Sequence, residues 1–214
     1  HDLATDLQPC SPHSGAARVS EQYMYNFCTY SYSTTYWDWA DWERELDWMA
    51  LHGITMPLAL VGHEAVLAET WQRLGVPAHE ALKFLGDPVF SAFQFMGCLD
   101  GDEAVVTPDW LDTRLDLGRR ILDRCRALGM KPVLPAFTGH VPTGWADESA
   151  GLRDWHGNAT RFLDPNDDRF RRVAATLAEV QRELLGDAKY FAADPFIETI
   201  PIDERRTHLS VGLR

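Results

Sequence analysis

The feature that most constrains the fold is an ordered alternation between segments typical of strands and segments typical of helices. Four β-prone runs are separated from one another by amphipathic segments. Repeated strand-then-helix units imply right-handed crossovers, because a helix must carry the chain back before a parallel strand can join the same sheet. The sequence therefore predicts an α/β protein with a parallel sheet.

The boundaries of these elements come from periodicity and from glycine, proline and capping residues. The predicted strands cover residues 23–36 (a strand followed by a loop), 54–61, 131–137 and 189–193. The predicted helices cover residues 38–51, 64–74, 78–85, 108–129 and 164–186, the last with Asp164 as its N-cap and Pro165 in its first turn. Residues 90–99 fit a helix or a strand equally, and the stretch through Trp155 is predicted to be a loop.

Four such strands make half of an eight-stranded α/β barrel, whose usual size is about 250 residues. An open doubly wound sheet fits the same order of elements. It is disfavoured because no glycine-rich loop of the dinucleotide or phosphate-binding type follows the first strand. We therefore predict the first half of a (β/α)8 barrel in residues 21–214, truncated at the C-terminus, with residues 1–20 as a linker or the end of a preceding region.

Composition excludes several classes of function. The net charge of -12 argues against nucleic acid, since phosphate binding needs a basic surface. No apolar run approaches the length of a membrane helix. Four widely spaced cysteines (Cys10, Cys28, Cys98 and Cys125) form neither a zinc motif nor a disulfide scaffold. The chain begins at His1 without a basic and then apolar leader, so we expect a targeting signal to be absent or already removed.

Candidate reactive residues follow the predicted strands. They are Asn26 and Cys28 on the first strand, His63 and Glu64 after the second, His140 after the third, and Asp194 and Glu198 after the last. Each has an ordinary alternative: Cys28 as a small buried residue, Glu64 as a favourable charge at a helix start, and His140 as a structural histidine. Their joint position at the strand ends is the stronger signal, since active sites of such barrels lie there.

Glu198 is the most informative of these residues. It is bracketed by Phe196, Ile197 and Ile200, and apolar neighbours disfavour a charged carboxylate and raise its pKa toward that of a general acid. The alternative is an exposed loop glutamate, which is the common state of this residue type.

Several blocks of the sequence resemble one known family. Residues 26–33 read Asn-Phe-Cys-Thr-Tyr-Ser-Tyr-Ser, and residues 37–54 begin with Trp-Asp-Trp-Ala-Asp-Trp-Glu-Arg-Glu. Together with residues 132–142, 162–165 and 193–198 they closely resemble the α-N-acetylglucosaminidases of glycoside hydrolase family 89. The resemblance runs in order from about Tyr23 to Glu198.

The resemblance implies a (β/α)8 barrel that removes terminal α-linked N-acetylglucosamine from glycans with retention, without a metal or cofactor. It places Glu198 at the general acid/base position, and the nucleophile on a later strand beyond Arg214. Asn26 and Cys28 match positions that line the sugar pocket, and Trp155 lies near a pocket tryptophan. Members of the family are lysosomal or exported; the sequon that begins at Asn158 is compatible with that route. The oligomeric state stays open.

Three positions depart from the family pattern. Ile197 stands where an asparagine usually precedes the acid/base, His63 stands where glutamine is common, and residues 98–102 read Cys-Leu-Asp-Gly-Asp where Asn-Leu and an aromatic residue are typical. Ile197 and Asp102 favour one alternative, a non-catalytic carbohydrate-binding relative. Another alternative is a structural fragment that needs its missing half. A dehydrogenase ranks last.

Overall fold

The computed structural model describes residues 15, 18–147, 149–194 and 200–201 of the 214-residue chain. Its helices are α1 (Phe27–Thr29), α2 (Trp39–Leu51), α3 (His63–Arg73), α4 (Ala78–Leu85), α5 (Ser91–Phe95), α6 (Pro108–Ala127) and α7 (Asp168–Leu185). A π-helical stretch, Tyr30–Thr34, follows α1, and a short 3-10 helix, Pro88–Phe90, precedes α5. Its strands are β1 (Tyr23–Met24), β2 (Met56–Pro57), β3 (Val133–Pro135), β4 (His140–Val141), β5 (Gly151–Trp155), β6 (Asn158–Phe162), β7 (Tyr190–Ala192) and β8 (Ile200–Pro201).

Four strands run parallel in the order β1, β2, β3, β7. β1 pairs with β2, and β3 pairs with β7 with Val133 opposite Tyr190. A parallel bridge between Leu58 and Val133 joins the two pairs, and the Ala59 amide donates to the Val133 carbonyl at 2.9 Å. At least one helix lies between each of these four strands and the next of the four along the chain. The predicted parallel α/β arrangement is confirmed for these strands.

The long helices follow their apolar stripes. Asp38 caps α2 and forms a capping box with Asp41, and Trp42, Leu46 and Met49 are buried against the core, as their helical spacing predicts. Helix α6 packs closely against the residues that follow β2. A Cβ atom on Gly118 would lie 2.3 Å from the Val61 carbonyl oxygen, so only glycine permits this approach.

The predicted first strand is wrong beyond its first two residues. Tyr25 has a φ of 76°, which breaks the extended chain. Asn26 then caps α1, since its side chain accepts from the Thr29 amide at 3.0 Å. The strands predicted at residues 54–61 and 131–137 are likewise shorter than expected, because apolar sequence continues past the residues that pair.

The predicted start of α7 is also wrong. The Asp164 side chain accepts from the Asn166 amide at 2.8 Å and so forms a local turn. The helix begins three residues later, where Asp167 accepts from the Arg169 amide and serves as the N-cap. Its apolar face and its end at Gly186 agree with the prediction.

The stretch through Trp155 is an antiparallel hairpin and not a loop. β5 and β6 pair along five residues each, in a sheet of order β4, β6, β5, β8. His156 and Gly157 both have positive φ values, 49° and 88°, as a two-residue type I′ turn requires. Thr160 and Phe162 of β6 face inward and are buried. Within the described residues, no helix is both long and apolar enough to cross a membrane.

Candidate functional site

The predicted site residues gather where the parallel strands end. Asn26 and Cys28 follow β1, His63 follows β2, and His140 follows β3. Since the four strands are parallel, their carboxyl ends share one edge, which is where barrel enzymes carry their active sites. This edge is the candidate site.

Asn26 and Cys28 lie on a turn formed by residues 26–35. The Asn26 Oδ1 atom accepts from both the amide and the hydroxyl of Thr29, which leaves its Nδ2 group outside the cap. Asn26 is exposed and Cys28 is half-buried, with its Sγ atom 4.0 Å from Met96 Sδ. The turn therefore presents an amide and a thiol at the strand ends.

His63 starts α3 and is only 4% exposed. Its ring meets Phe95 edge-on at 5.0 Å, and burial lowers its pKa to about 3, so the imidazole is neutral. Among the described residues, no group hydrogen-bonds to its Nδ1 atom. The next residue, Glu64, lies in the first turn of α3, as its helix-start alternative predicts; it is buried, and its Oε2 atom accepts from the Gly62 amide at 2.9 Å.

Trp155 joins an aromatic row that the sequence did not predict. Its ring lies 5.1 Å from Phe93, and Phe93 lies 6.0 Å from Tyr32. Tyr32 is 77% exposed although Tyr30, two residues earlier, is 3% exposed. Such flat, partly exposed rings are suited to stacking against the apolar face of a sugar. Tyr32 lies within residues 23–36, which the sequence predicted to be a strand followed by a loop, and its exposure was not predicted.

His140 occupies an enclosed place at the end of β3. It is 6% exposed, its ring lies between Phe84 and Phe162, and its Nε2 atom is 2.7 Å from Asp100 Oδ1. Asp100 Oδ2 also accepts from the amide and hydroxyl of Thr143. Burial opposes a charged Asp100, but the contacts with His140 and Thr143 outweigh it and lower the Asp100 pKa. His140 thus connects the end of β3 to Asp100, and through Asp100 to Thr143.

One short segment, residues 91–100, connects all of these positions. Phe93 contacts Trp155, Phe95 contacts His63, Met96 contacts Cys28, and Asp100 contacts His140. Gly97 allows the segment to lie against the hairpin, because a Cβ atom there would be 2.2 Å from Phe162 Cζ. The segment whose structure the sequence left undecided is α5 and the turn after it, and it holds the site together.

The cleft in this region is small. It has a cavity volume of about 10 Å³ and lies between Tyr25, the turn of residues 26–35 and the side chains of Trp42, Leu58 and Leu60. Drug-sized ligand sites usually measure roughly 300 Å³ or more. In the part of the chain that the structure describes, no three His, Cys, Asp or Glu side chains gather as a metal site. Glu198 lies outside the described residues, between β7 and β8 in sequence.

Comparison with known proteins identifies the family. Residues 22–211 match the model of the "Alpha-N-acetylglucosaminidase (NAGLU) tim-barrel domain". The chain belongs to this family. It is also 47% identical over 201 residues to human alpha-N-acetylglucosaminidase, an alignment that covers 89% of this chain and 27% of the human protein.

Solved structures of a family 89 glycoside hydrolase from Clostridium perfringens are similar in fold. The complex with 2-acetamido-1,2-dideoxynojirmycin has a TM-score of 0.76 at 31% identity, covering 84% of this chain and 22% of that one. A variant of that enzyme in complex with its substrate GlcNAc-alpha-1,4-galactose has a TM-score of 0.75 at 32% identity, covering 83% and 21%. The chain thus spans about a quarter of the length of its relatives.

Proposed function

We propose that the full-length protein containing this chain is a retaining glycoside hydrolase that releases terminal α-linked N-acetylglucosamine from glycans. The observation that carries the proposal is the meeting of Asn26, Cys28, His63 and the aromatic row at one edge of a parallel sheet, within a family of α-N-acetylglucosaminidases. The proposal includes an exported or lysosomal location, and a preceding region that ends near residue 20.

Residues 21–214 form the first half of the catalytic barrel in this proposal. Among the described strands, β1 pairs with β2 alone and β7 with β3 alone. Tyr23 on β1 and Phe191 on β7 are 52% and 50% exposed, an apolar surface that further strands would cover. The isolated chain should therefore unfold without a cooperative transition, as calorimetry would show. A monomeric chain with a sharp transition would contradict the half-barrel.

The sugar would contact groups already at the strand ends. The row of Tyr32, Phe93 and Trp155 offers aromatic faces for the ring, and Asn26, on the same turn as Tyr32, offers an amide for hydrogen bonding. His63 is held neutral, so it would act as a polar group and not as a cation. The neutral lining suits an uncharged sugar.

Glu198 would be the general acid/base. In the first step it would protonate the glycosidic oxygen while a second carboxylate, about 5 Å away, attacks and forms the covalent intermediate. In the second step it would remove a proton from the water that hydrolyses this intermediate. That second group would come from a later barrel strand. The chain segment that bears Glu198 joins β7 to β8, and β8 pairs with the strand that carries Trp155. The connection supports a role beside the aromatic row, and the chemistry requires no metal.

The test is Glu198→Gln in the full-length protein, with Glu43→Gln on the exposed face of α2 as the matched control. Hydrolysis of an α-N-acetylglucosaminide with an unactivated leaving group should fall by about a hundredfold or more, because proton donation to that group is lost. An aryl glycoside with a good leaving group should lose less. Wild-type rates for Glu198→Gln on both substrates would overturn the assignment.

A non-catalytic carbohydrate-binding relative is the second candidate, and the departure at Ile197 favours it. Asp100 and Asp102 support the non-catalytic candidate less strongly in the structure than they do in the sequence. Asp100 is occupied by His140 and Thr143, and Asp102 is exposed. Calorimetric binding of N-acetylglucosamine by the full-length protein, together with no release of it from any α-linked glycoside, would establish this candidate instead.

A further inference from the structure

Three polar side chains from three separate elements meet inside the core. They are Tyr30 of the π-helical stretch, Glu64 of α3 and Arg114 of α6, and all three residues are buried. The Tyr30 hydroxyl donates to Glu64 Oε1 and accepts from Arg114 Nη2. Arg114 Nε also lies 3.7 Å from Glu64 Oε1. The group forms one connected unit, here called the inner cluster.

The inner cluster has a single direction of hydrogen bonding. Burial first, and then the Glu64 charge, raise the pKa of Tyr30 well above its usual range, so the hydroxyl keeps its proton and donates it to Glu64. Glu64 Oε2 accepts from the Gly62 amide at 2.9 Å. The Arg114 guanidinium also lies over the rings of Tyr30 and Trp110, at 5.6 and 5.7 Å. These contacts fix where the Tyr30 oxygen can sit.

Stability alone does not account for this choice of residues. A buried charge pair costs so much desolvation that apolar side chains of the same volume are often equally stabilising. What the polar version adds is a defined position for each partner, since a hydrogen bond fixes distance and direction and apolar contacts do not. The position defined here is that of Tyr30, which sits between Cys28 and Tyr32 on the turn of residues 26–35.

The turn is also connected to α5: the Ser31 Oγ atom accepts from the Ala92 amide at 3.1 Å, and Cys28 and Tyr32 lie against Met96 and Phe93. The Thr35 hydroxyl bonds the Tyr30 carbonyl at 2.8 Å, which is a contact within the turn itself. The stretch is π-helical. This geometry is rare in proteins as a whole, and where it occurs it is often at a functional site. Tyr30 links this stretch to α3 and α6, which lie behind the strand ends.

We propose that Tyr30, Glu64 and Arg114 are positioning residues, which hold the turn bearing Asn26, Cys28 and Tyr32 in register with the strand ends so that it can bind the sugar. The inference rests on the proposed function. None of the three side chains contacts the sugar in this scheme; each acts through the turn.

The experiment is Tyr30→Phe in the full-length protein, which removes one oxygen atom and keeps the ring. We expect KM for an α-N-acetylglucosaminide to rise about tenfold with kcat changed less than about threefold, because the turn contacts the sugar in the ground state and the transition state alike. Affinity for 2-acetamido-1,2-dideoxynojirmycin should fall by a similar factor. Hydrogen exchange of peptides covering residues 26–35 should accelerate.

The matched control is Tyr36→Phe, one residue beyond the turn. The Tyr36 side chain is 78% exposed and does not line the cleft, so removal of its hydroxyl leaves the inner cluster intact. Tyr36→Phe should leave KM and inhibitor affinity unchanged. An unchanged KM and inhibitor affinity in a folded Tyr30→Phe variant, with only its Tm lowered, would overturn the proposal in favour of a structural role.

A second pair of variants covers the case in which Tyr30→Phe does not fold. Arg114→Lys keeps the charge but loses the fork that reaches both Tyr30 and Glu64. Arg124→Lys is its control on the same helix, where the arginine pairs with Asp47 at 2.5 Å. KM should rise in the first and not in the second. If neither Tyr30→Phe nor Arg114→Lys folds, the cluster serves the fold and the proposal fails.

These outcomes separate the inference from the proposed function. Hydrolysis by the wild-type protein decides the function, whatever Tyr30→Phe does. If the wild-type protein has no hydrolytic activity, hydrogen exchange of residues 26–35 still decides whether the inner cluster fixes the turn. Equal exchange in Tyr30→Phe and Tyr36→Phe would then contradict it.

Discussion

Two regions of this molecule join an arginine to carboxylate and hydroxyl groups, and they differ in burial. In the inner cluster the Arg114 and Glu64 side chains are 8% and 2% exposed. In the outer cluster Arg169 pairs with Asp147 at 3.0 Å and Asp167 at 2.6 Å, and these side chains are 31%, 70% and 24% exposed. The hydroxyl partner in the outer cluster is Ser149.

The difference shows that the same chemical groups have different consequences in the two places. Water can replace every contact of the outer cluster, so breaking it costs little. In the inner cluster, a group that loses its partner stays buried and unsatisfied. The outer cluster therefore contributes little to stability, and the inner cluster holds its three side chains in fixed positions.

The largest effect should come from breaking the inner cluster on one side. Glu64→Leu leaves Arg114 as a buried charge without its carboxylate and leaves the Gly62 amide without its acceptor. The free energy of unfolding should fall by about 3–5 kcal/mol, as measured by urea denaturation of the full-length protein. A loss below about 1 kcal/mol would show that breaking the inner cluster costs no more than breaking the outer one.

Removing the whole inner cluster should be less harmful than removing one member. The triple variant Tyr30→Phe, Glu64→Leu, Arg114→Met leaves no buried charge in this part of the core. It should regain at least about half of the stability lost in Glu64→Leu, since desolvation of the charges is no longer needed. By contrast, KM should stay raised if the turn depends on the Tyr30 hydroxyl. Denaturation and kinetics on the same sample would reveal this separation.

As the pH falls, the free energy of unfolding should first decline because of buried His63, which adjoins the inner cluster, and only later because of the outer cluster. His63 has a pKa of about 3 when folded against about 6.5 when unfolded, so at intermediate pH the unfolded chain binds a proton that the folded chain does not. This contribution to stability is complete above about pH 6.5 and declines below it, by at most about 1.4 kcal/mol per pH unit. His63→Gln should flatten the decline between pH 6.5 and 4.5 relative to wild type. An identical slope in the two proteins would contradict the buried neutral state.

The outer cluster should give no such decline in that range. Its Ser149 and Arg169 hydrogen bonds lower the pKa of Asp147 to about 2, so the contribution of this carboxylate is present above its unfolded pKa and lost only as the pH falls toward 2.

The smallest effect should come from Arg169→Ala. Asp147 is exposed and Asp167 is partly exposed, so water can solvate both when the guanidinium is removed. The Tm should stay within about 2 °C of wild type, and KM should not change. A large fall in Tm, measured by calorimetry, would show that the outer cluster also holds the fold.

The sequence predicted the helices better than the strands, for identifiable reasons. Helices α2, α4 and α6 carry apolar stripes and clear ends, and these are local signals. Strand length depends on which neighbours pair, so apolar runs at residues 54–61 and 131–137 predicted strands longer than β2 and β3. The hairpin was missed because β5 is largely exposed, with no alternation of apolar residues to mark it.

The site was predicted in outline, because strand ends converge in any parallel α/β sheet. That rule places Asn26, Cys28, His63 and His140 at one edge, where they are found. Their roles, and that of Trp155, stay predictions, as does the role of Glu198. The rule could not reveal Phe93, since its segment had no clear periodicity. Nor could it reveal the inner cluster, whose members lie up to 84 residues apart.

The π-helical stretch Tyr30–Thr34 makes the site vulnerable to changes in length. Removing a single residue between Cys28 and Thr34 would allow an ordinary α-helix to form without loss of hydrogen bonding. Each residue of such a helix turns the chain by about 100°, so the side chains before the deletion would rotate away from those after it. Tyr30 and Tyr32 could then no longer face the core and the solvent as they do. We therefore expect this turn to tolerate point substitutions better than the insertion or deletion of a residue.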